Sequence, residues 1–314
     1  MSTKKIPVLL SFYALSNGKE ALMFGQIATT RLNDLSFAAY SPRRTFRTLF
    51  ALYRTRPVAH ISVRLHFGSV SIPAKTDATG AFFFKHPVEQ VLGTLQRVTL
   101  DAGGEVTLLE GLYLRTIHHV VSPMVMVSDI DDTLLHSFIR NKLRKLRTLL
   151  FTPVEKRGAV KNMRELMFDA VQQGGTVLYL SNSEQNLYPL IYRFLLHNKF
   201  PAGPLFLKQL RKLRDVFLYR KVGVPGIHKL KMLDQILALF PDKQFALVGD
   251  NTQLDLPIYL TASEKYPDNI RYILIRKARR SSSAQALVKK TEARLREQNI
   301  TLYYDENLPT SLSW

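Results

Sequence analysis

The chain has 314 residues, 46% of them hydrophobic and 22% charged, with no cysteine and a formal net charge of +19. This composition excludes a mainly disordered chain, disulfides and thiolate metal sites, and the charge calls for an anionic partner: nucleic acid, an acidic membrane or a phosphorylated substrate. No apolar run approaches the roughly 18 residues of a membrane-spanning helix. The segment 6–15 follows two lysines but lacks the small-residue cleavage site of a secretory signal, so it reads as a first strand. Length predicts about two domains. In residues 1–120, Ile61, Val63, Leu65 and Phe67 alternate with polar residues, the pattern of a half-buried strand. Further strands are expected over 70–74, 81–85, 97–100 and 112–117, with a turn at 77–80 and one helix over 43–54. This part reads as a small β-rich, sandwich-like domain.

From residue 121 to 314 the texture changes. Short continuous apolar runs, expected as buried parallel strands, fall at 124–128, 176–180, 205–207, 245–248 and 272–275. Helices are expected between them at 160–173, 187–197, 229–240 and 283–298. The fold class is therefore α/β, a doubly wound parallel sheet behind the β-rich front part.

In such a sheet, ligands bind at the carboxyl ends of the strands. The first apolar run ends in Asp129-Ile130-Asp131-Asp132-Thr133, the second in Ser181-Asn182-Ser183, and a later one in Gly249-Asp250, followed by Asp255; Lys229 opens a helix between the last two. A carboxylate nucleophile splits hydrolysis into two displacements, and a second carboxylate donates and then accepts a proton. Each residue also has a plainer role. Acidic loop ends and Ser181 can cap helices, and Lys229 has a rival two positions on, Lys231.

Taken in order, Asp129/Asp131/Thr133, Ser181, Lys229 and Asp250/Asp255 resemble the four motifs of the haloacid dehalogenase superfamily. The strings S-D-I-D-D-T, Y-L-S-N-S-x-x-x-L-Y-P, F-P-x-x-x-F-x-L-V-G-D-x-x-Q-x-D-x-x-I-Y and Y-I-L-I-R are similar to the catalytic domain of actin-patch-type phosphatidate phosphatases, relatives of lipins, over roughly residues 121–280. The resemblance implies a haloacid-dehalogenase-like sheet with a small cap. It makes Asp129 the nucleophile, Asp131 the general acid and base, Ser181 a ligand of a phosphoryl oxygen and Lys229 the cation joining nucleophile and phosphate. Thr133 and Asn182 would bind substrate, and Mg²⁺ would be held by Asp129, the backbone carbonyl of Asp131 and Asp250, with Asp255 in support. Two departures from the family pattern stand out. Glu184-Gln185 replaces the Pro and aromatic residue that commonly follow Ser183, and Pro257 stands where an acidic residue is common.

Charge distribution bears on the substrate. Between positions 138 and 164 nine basic residues accompany one acid, and between 206 and 231 eight accompany one. Within 139–151, Ile139, Leu143, Leu146 and Leu150 recur at helical spacing with basic residues largely elsewhere, which suits a helix lying on an acidic bilayer and equally a cap helix packed on the core. Three functions are expected. The first is a Mg²⁺-dependent phosphatase converting phosphatidate to diacylglycerol at a membrane surface; the second is a lipid-phosphate-binding module with weak catalysis; the third is a phosphatase of nucleic-acid ends. The location expected is cytoplasmic, with peripheral attachment to a membrane.

Overall fold

The computed structural model describes residues 4–35, 48, 50–88, 92–134, 159–208, 226–252, 254–278 and 281–314. The cap expected after the nucleophile loop, the amphipathic segment 139–151 and most of both basic clusters lie outside these residues. So does most of the first half of the helix expected over 43–54; residues 50–53 of it are helical.

The β-rich front half is a nine-stranded sheet. It contains β1 (Ile6–Ser16), β2 (Glu20–Thr30), β3 (Arg56–Pro57), β4 (Ser62–Phe67), β5 (Val70–Lys75), β6 (Ala81–Pro87), β7 (Arg97–Leu100), β8 (Glu105–Leu108) and β9 (Ile117–His119). Their main path runs β3-β2-β1-β8-β7-β4-β5, with β6 on β2 and β9 on β1. In β4 the alternation read from sequence is realised: Val63, Leu65 and Phe67 are buried while Ser62 and Arg64 face out. The turn before β6 is closed by Asp77, whose Oδ1 accepts from the amides of Thr79 and Ala81 at 2.7 and 3.1 Å. Gly80 is required there, because its φ is +74° and a Cβ would lie 2.3 Å from the carbonyl oxygen of Ile27. The strand expected over 112–117 is displaced towards the C-terminus, and only its last residue, Ile117, lies in β9. After Gly111 (φ 67°) the chain turns, burying Leu112 and Tyr113, and only Ile117 to His119 pair with β1.

The second half is a six-stranded, entirely parallel sheet of β10 (Met124–Ser128), β11 (Thr176–Glu184), β12 (Leu205–Lys208), β13 (Gln244–Asp250), β14 (Ile270–Arg276) and β15 (Thr301–Asp305), in the order β12-β11-β10-β13-β14-β15. The helices are α1 (Lys161–Gln172), α2 (Tyr188–His197), α3 (Ile227–Leu239), α4 (Asp255–Lys265) and α5 (Ser282–Glu297). The order reverses between β10 and β13. At such a switch point the connections leave in opposite directions and open a crevice at the carboxyl ends of the strands.

Val125, Met126 and Val127 in β10 and Phe245 to Val248 in β13 are at most 1% exposed, as expected for strands covered on both faces. Buried side chains of both sheets join in one apolar cluster. The two halves also meet through specific contacts. The rings of Tyr13 and Phe206 lie 4.4 Å apart, and Tyr188 Oη donates to the carbonyl of Phe12 at 3.2 Å. Among the described residues no helix is long and apolar enough to cross a membrane.

Candidate active site

β10 delivers Asp129 to the crevice. Its amide donates to the Val248 carbonyl at 2.8 Å, which carries the β10–β13 pairing one residue past the strand end. The chain then turns tightly, with the Leu134 amide on the Ile130 carbonyl at 2.9 Å. Asp132 adopts a left-handed conformation, φ 62°, which non-glycine residues adopt only when the surroundings enforce it. Arg276, at the end of β14, supplies that enforcement: its Nε donates to the Asp132 carbonyl at 3.0 Å, and Nη2 donates to the same oxygen. Thr133, fully buried, donates its hydroxyl to Asp129 Oδ2 at 3.1 Å, with Asp250 Oδ2 at 3.4 Å.

Lys229 reaches in from the first turn of α3. Its Nζ lies 2.9 Å from Asp129 Oδ1 and 2.5 Å from Asp255 Oδ1. Lys231, the rival read from sequence, is exposed. The other oxygen of Asp255 accepts the backbone amide of Asp250 at 3.1 Å, so Asp255 orients both the lysine and the second acidic strand end. Gly249 makes this possible. A Cβ at that position would stand 2.4 Å from Asp255 Oδ2, inside any tolerable contact.

Asp129, Asp250, Asp255 and Lys229 each have 0% relative exposure. One ammonium cannot balance three ionised carboxylates, and in a low-dielectric interior the excess is costly. The titration behaviour follows. Burial pushes the Asp129 carboxyl well above the usual range, Lys229 pulls it back, and Asp255 and Asp250 push it up again. Asp250 is pushed up to about 6, first by burial and then by Asp255. For Lys229 burial favours the neutral form, but Asp129 and Asp255 outweigh it and keep the ammonium charged.

A hard cation relieves the same excess. Oxygens of Asp129, Asp250 and Asp255 lie within 4.8 Å of one another, and an all-oxygen donor set of this kind suits a hard divalent ion. All six oxygens of these carboxylates already have partners, Lys229 and Thr133 on Asp129, the Thr252 amide and Thr133 on Asp250, and Lys229 and the Asp250 amide on Asp255, so an ion here would share or displace them.

Across from this cluster stands Asp131. Ser181, fully buried where the apolar run of β11 gives way to polar residues, donates to Asp131 Oδ2 at 3.1 Å, and Ser183 donates to the same oxygen at 2.5 Å. The amide of Ser183 in turn donates to Ser181 Oγ at 2.9 Å. Asn182 lies between them, half-buried. The crevice thus brings together Asp129, Asp131, Thr133, Ser181, Lys229, Asp250 and Asp255, with Thr133 bound to carboxylates and Ser181 bound to Asp131, whereas Asn182 makes no hydrogen bond to any of them.

Sequence reasoning missed four groups here. Ser183 holds Asp131, Arg276 holds the Asp132 carbonyl, and Thr252 donates from its hydroxyl to Asp132 Oδ2 at 3.2 Å. The fourth is Tyr259, whose hydroxyl donates to the Val248 carbonyl at 2.9 Å beneath the lysine. Arg276 closes the conspicuous string Y-I-L-I-R, yet nothing in that string distinguishes a site arginine from a strand end.

Residues 124–277 match the family model described as phosphatidate phosphatase APP1, catalytic domain. Phosphatidate phosphatase APP1 of Saccharomyces cerevisiae is 30% identical over 153 residues, 48% of this chain and 25% of that protein. An uncharacterised protein of Schizosaccharomyces pombe is 25% identical over 153 residues, 48% of this chain and 24% of its own length. The chain thus spans about a quarter of the length of these relatives. The solved structure of a carbohydrate acetylesterase from Xanthomonas citri aligns with 98% of this chain and 70% of its own, at 10% identity and a TM-score of 0.29.

Proposed function

We propose, from the match of residues 124–277 to the model of phosphatidate phosphatase APP1 catalytic domains, that this chain is a Mg²⁺-dependent phosphatase acting on a lipid phosphate monoester, phosphatidate. The haloacid-dehalogenase-like character of residues 121–314, behind a β-rich domain at 1–120, is part of the same reading. The observation that carries it is Lys229 bridging Asp129 and Asp255 in a buried acidic cluster, with Asp131 facing it from two serine hydroxyls.

In the proposed reaction a carboxylate oxygen of Asp129 attacks phosphorus. The bond from phosphorus to the leaving oxygen breaks, and Asp131 gives that oxygen its proton as diacylglycerol departs. The phosphoryl group is then on Asp129. Asp131, now a carboxylate, takes a proton from water as the water oxygen attacks phosphorus, the Asp129–phosphorus bond breaks and inorganic phosphate leaves. Lys229 favours the ionised form of Asp129 against the upward push of burial and offsets charge on the phosphoryl oxygens. Ser181 and Ser183 hold the Asp131 oxygen towards the crevice, and Ser181 can pass its hydrogen bond to a phosphoryl oxygen once substrate is seated. Mg²⁺, held by Asp129 and Asp250, would supply electrostatic stabilisation of the phosphoryl oxygens.

The charge of +19 supports an anionic substrate surface, with cytoplasmic location and peripheral attachment to acidic membranes as its corollary. The test is phosphate release from phosphatidate in mixed micelles, with and without Mg²⁺, for wild type and Asp129→Asn. Turnover that needs both Mg²⁺ and Asp129 is expected. Liposome binding without turnover in either protein would instead make the chain a lipid-phosphate-binding module, and turnover confined to oligonucleotide ends would make nucleic acid the substrate.

A further inference from the structure

Glu184 and Gln185, the two positions at which the sequence departs from the family pattern beside the serine loop, both contact the β-rich front half. Glu184 Oε2 accepts the hydroxyl of Tyr53 at 2.8 Å. Gln185, 2% exposed, donates from Nε2 to Ser11 Oγ at 2.6 Å. The next residue, Asn186, is 1% exposed and donates to the carbonyl of Leu52 at 3.5 Å. These three consecutive residues begin directly after Ser183.

The intervening backbone is not held by regular pairing. β11 pairs with β12 at Leu180↔Phe206 and again at Glu184↔Lys208, and the register is irregular in between. Residues 181–183 therefore bulge out of the β11–β12 pairing, where Ser181 and Ser183 reach Asp131, and the anchor on their far side is the 184–186 turn. Ser11 is placed to be that anchor by an irregularity of its own. The β1–β2 register shifts between Leu9 and Ser11, and a bulge of this kind re-aims the following side chain.

From this geometry we infer that the front half is a positioning element of the active site: Ser11 and Tyr53 fix the 184–186 turn, which sets where Ser181 and Ser183 hold Asp131. Ser11, Tyr53 and Gln185 are positioning residues, since none touches the reacting groups. The inference rests on the phosphatase reading for its catalytic consequence and on the hydrogen bonds alone for its mechanical one.

The test uses the full chain carrying Ser11→Ala, Gln185→Ala or both, with Ile72→Val in β5 as a control that loosens the same sheet away from the contact. Each single variant should lower kcat about tenfold, the effect of one catalytic hydrogen bond misplaced, with KM within twofold. The double variant should lose no more than either single, because both remove one contact. The control should keep the wild-type kcat. Unchanged kcat in the Ser11 and Gln185 variants, or an equal fall in the control, would overturn the inference. If wild type hydrolyses no phosphomonoester the phosphatase reading fails, and amide exchange then decides the positioning claim. Faster exchange at Ser183 and Asn186 in Ser11→Ala upholds it, and unchanged exchange overturns it.

Discussion

Lys229 Nζ sits 2.9 Å from Asp129 Oδ1, across 100 residues of sequence and out of reach of solvent. Replacing the lysine by methionine keeps most of its volume but leaves the carboxylates without their internal cation. Lys229→Met should abolish turnover and, with chelator present, lower stability by about 3–5 kcal/mol. Millimolar Mg²⁺ should restore part of the melting temperature but not the activity. Thermal melts in chelator and in Mg²⁺ beside a turnover assay would check both; unchanged melting in chelator would mean that the charges are not coupled as the distances indicate.

Gly249→Ala places a methyl group where Asp255 stands. The expected cost is about 1–3 kcal/mol from overpacking, together with weaker Mg²⁺ binding as Asp255 is pushed off the Asp250 amide. Activity titrated against Mg²⁺ should show a higher half-saturating concentration than wild type.

Asp250 gives the metal-free protein a characteristic pH dependence. Its folded pKa, pushed up to about 6, lies above the unfolded value, so the group favours the folded state at low pH. That contribution fades as pH rises from about 4 through 6, by up to about 3 kcal/mol. Melting in chelator from pH 4.5 to 7 should therefore fall more steeply for wild type than for Asp250→Asn, and Mg²⁺ should reduce the difference by favouring the ionised carboxylate.

Arg276→Ala removes both guanidinium bonds to the Asp132 carbonyl. The left-handed turn at Asp132 then loses its outside support, and Asp131, one residue earlier, loses a fixed backbone. A fall in kcat of about tenfold with near-wild-type KM is expected. Arg276→Lys should recover little, because a single ammonium cannot reproduce the two-pronged contact.

The centre was legible in sequence for a physical reason. Strands buried on both faces must be continuous apolar runs, so the polar residues that end them are conspicuous, and Asp129, Ser181 and Asp250 were each found at such an end. β15 escaped because it is a half-exposed edge strand without such a run, and α4 because Pro257 falls where helix interiors exclude it, although the first turn tolerates it. The anchors of the serine loop escaped more completely. Ser11 and Tyr53 lie 174 and 131 residues from their partners, and no local spacing encodes such a meeting.

The reversal of strand order has a consequence for synthesis. β10 lies between β11 and β13, yet β13 begins 116 positions after Ser128. A nascent chain can pair β10 on only one side until its last quarter emerges, and until then Asp129 has neither the Val248 carbonyl nor Asp250 beside it. Chains halted before position 244 should therefore carry an open apolar strand edge, recruit chaperones and aggregate, and no fragment of that length should bind a divalent ion.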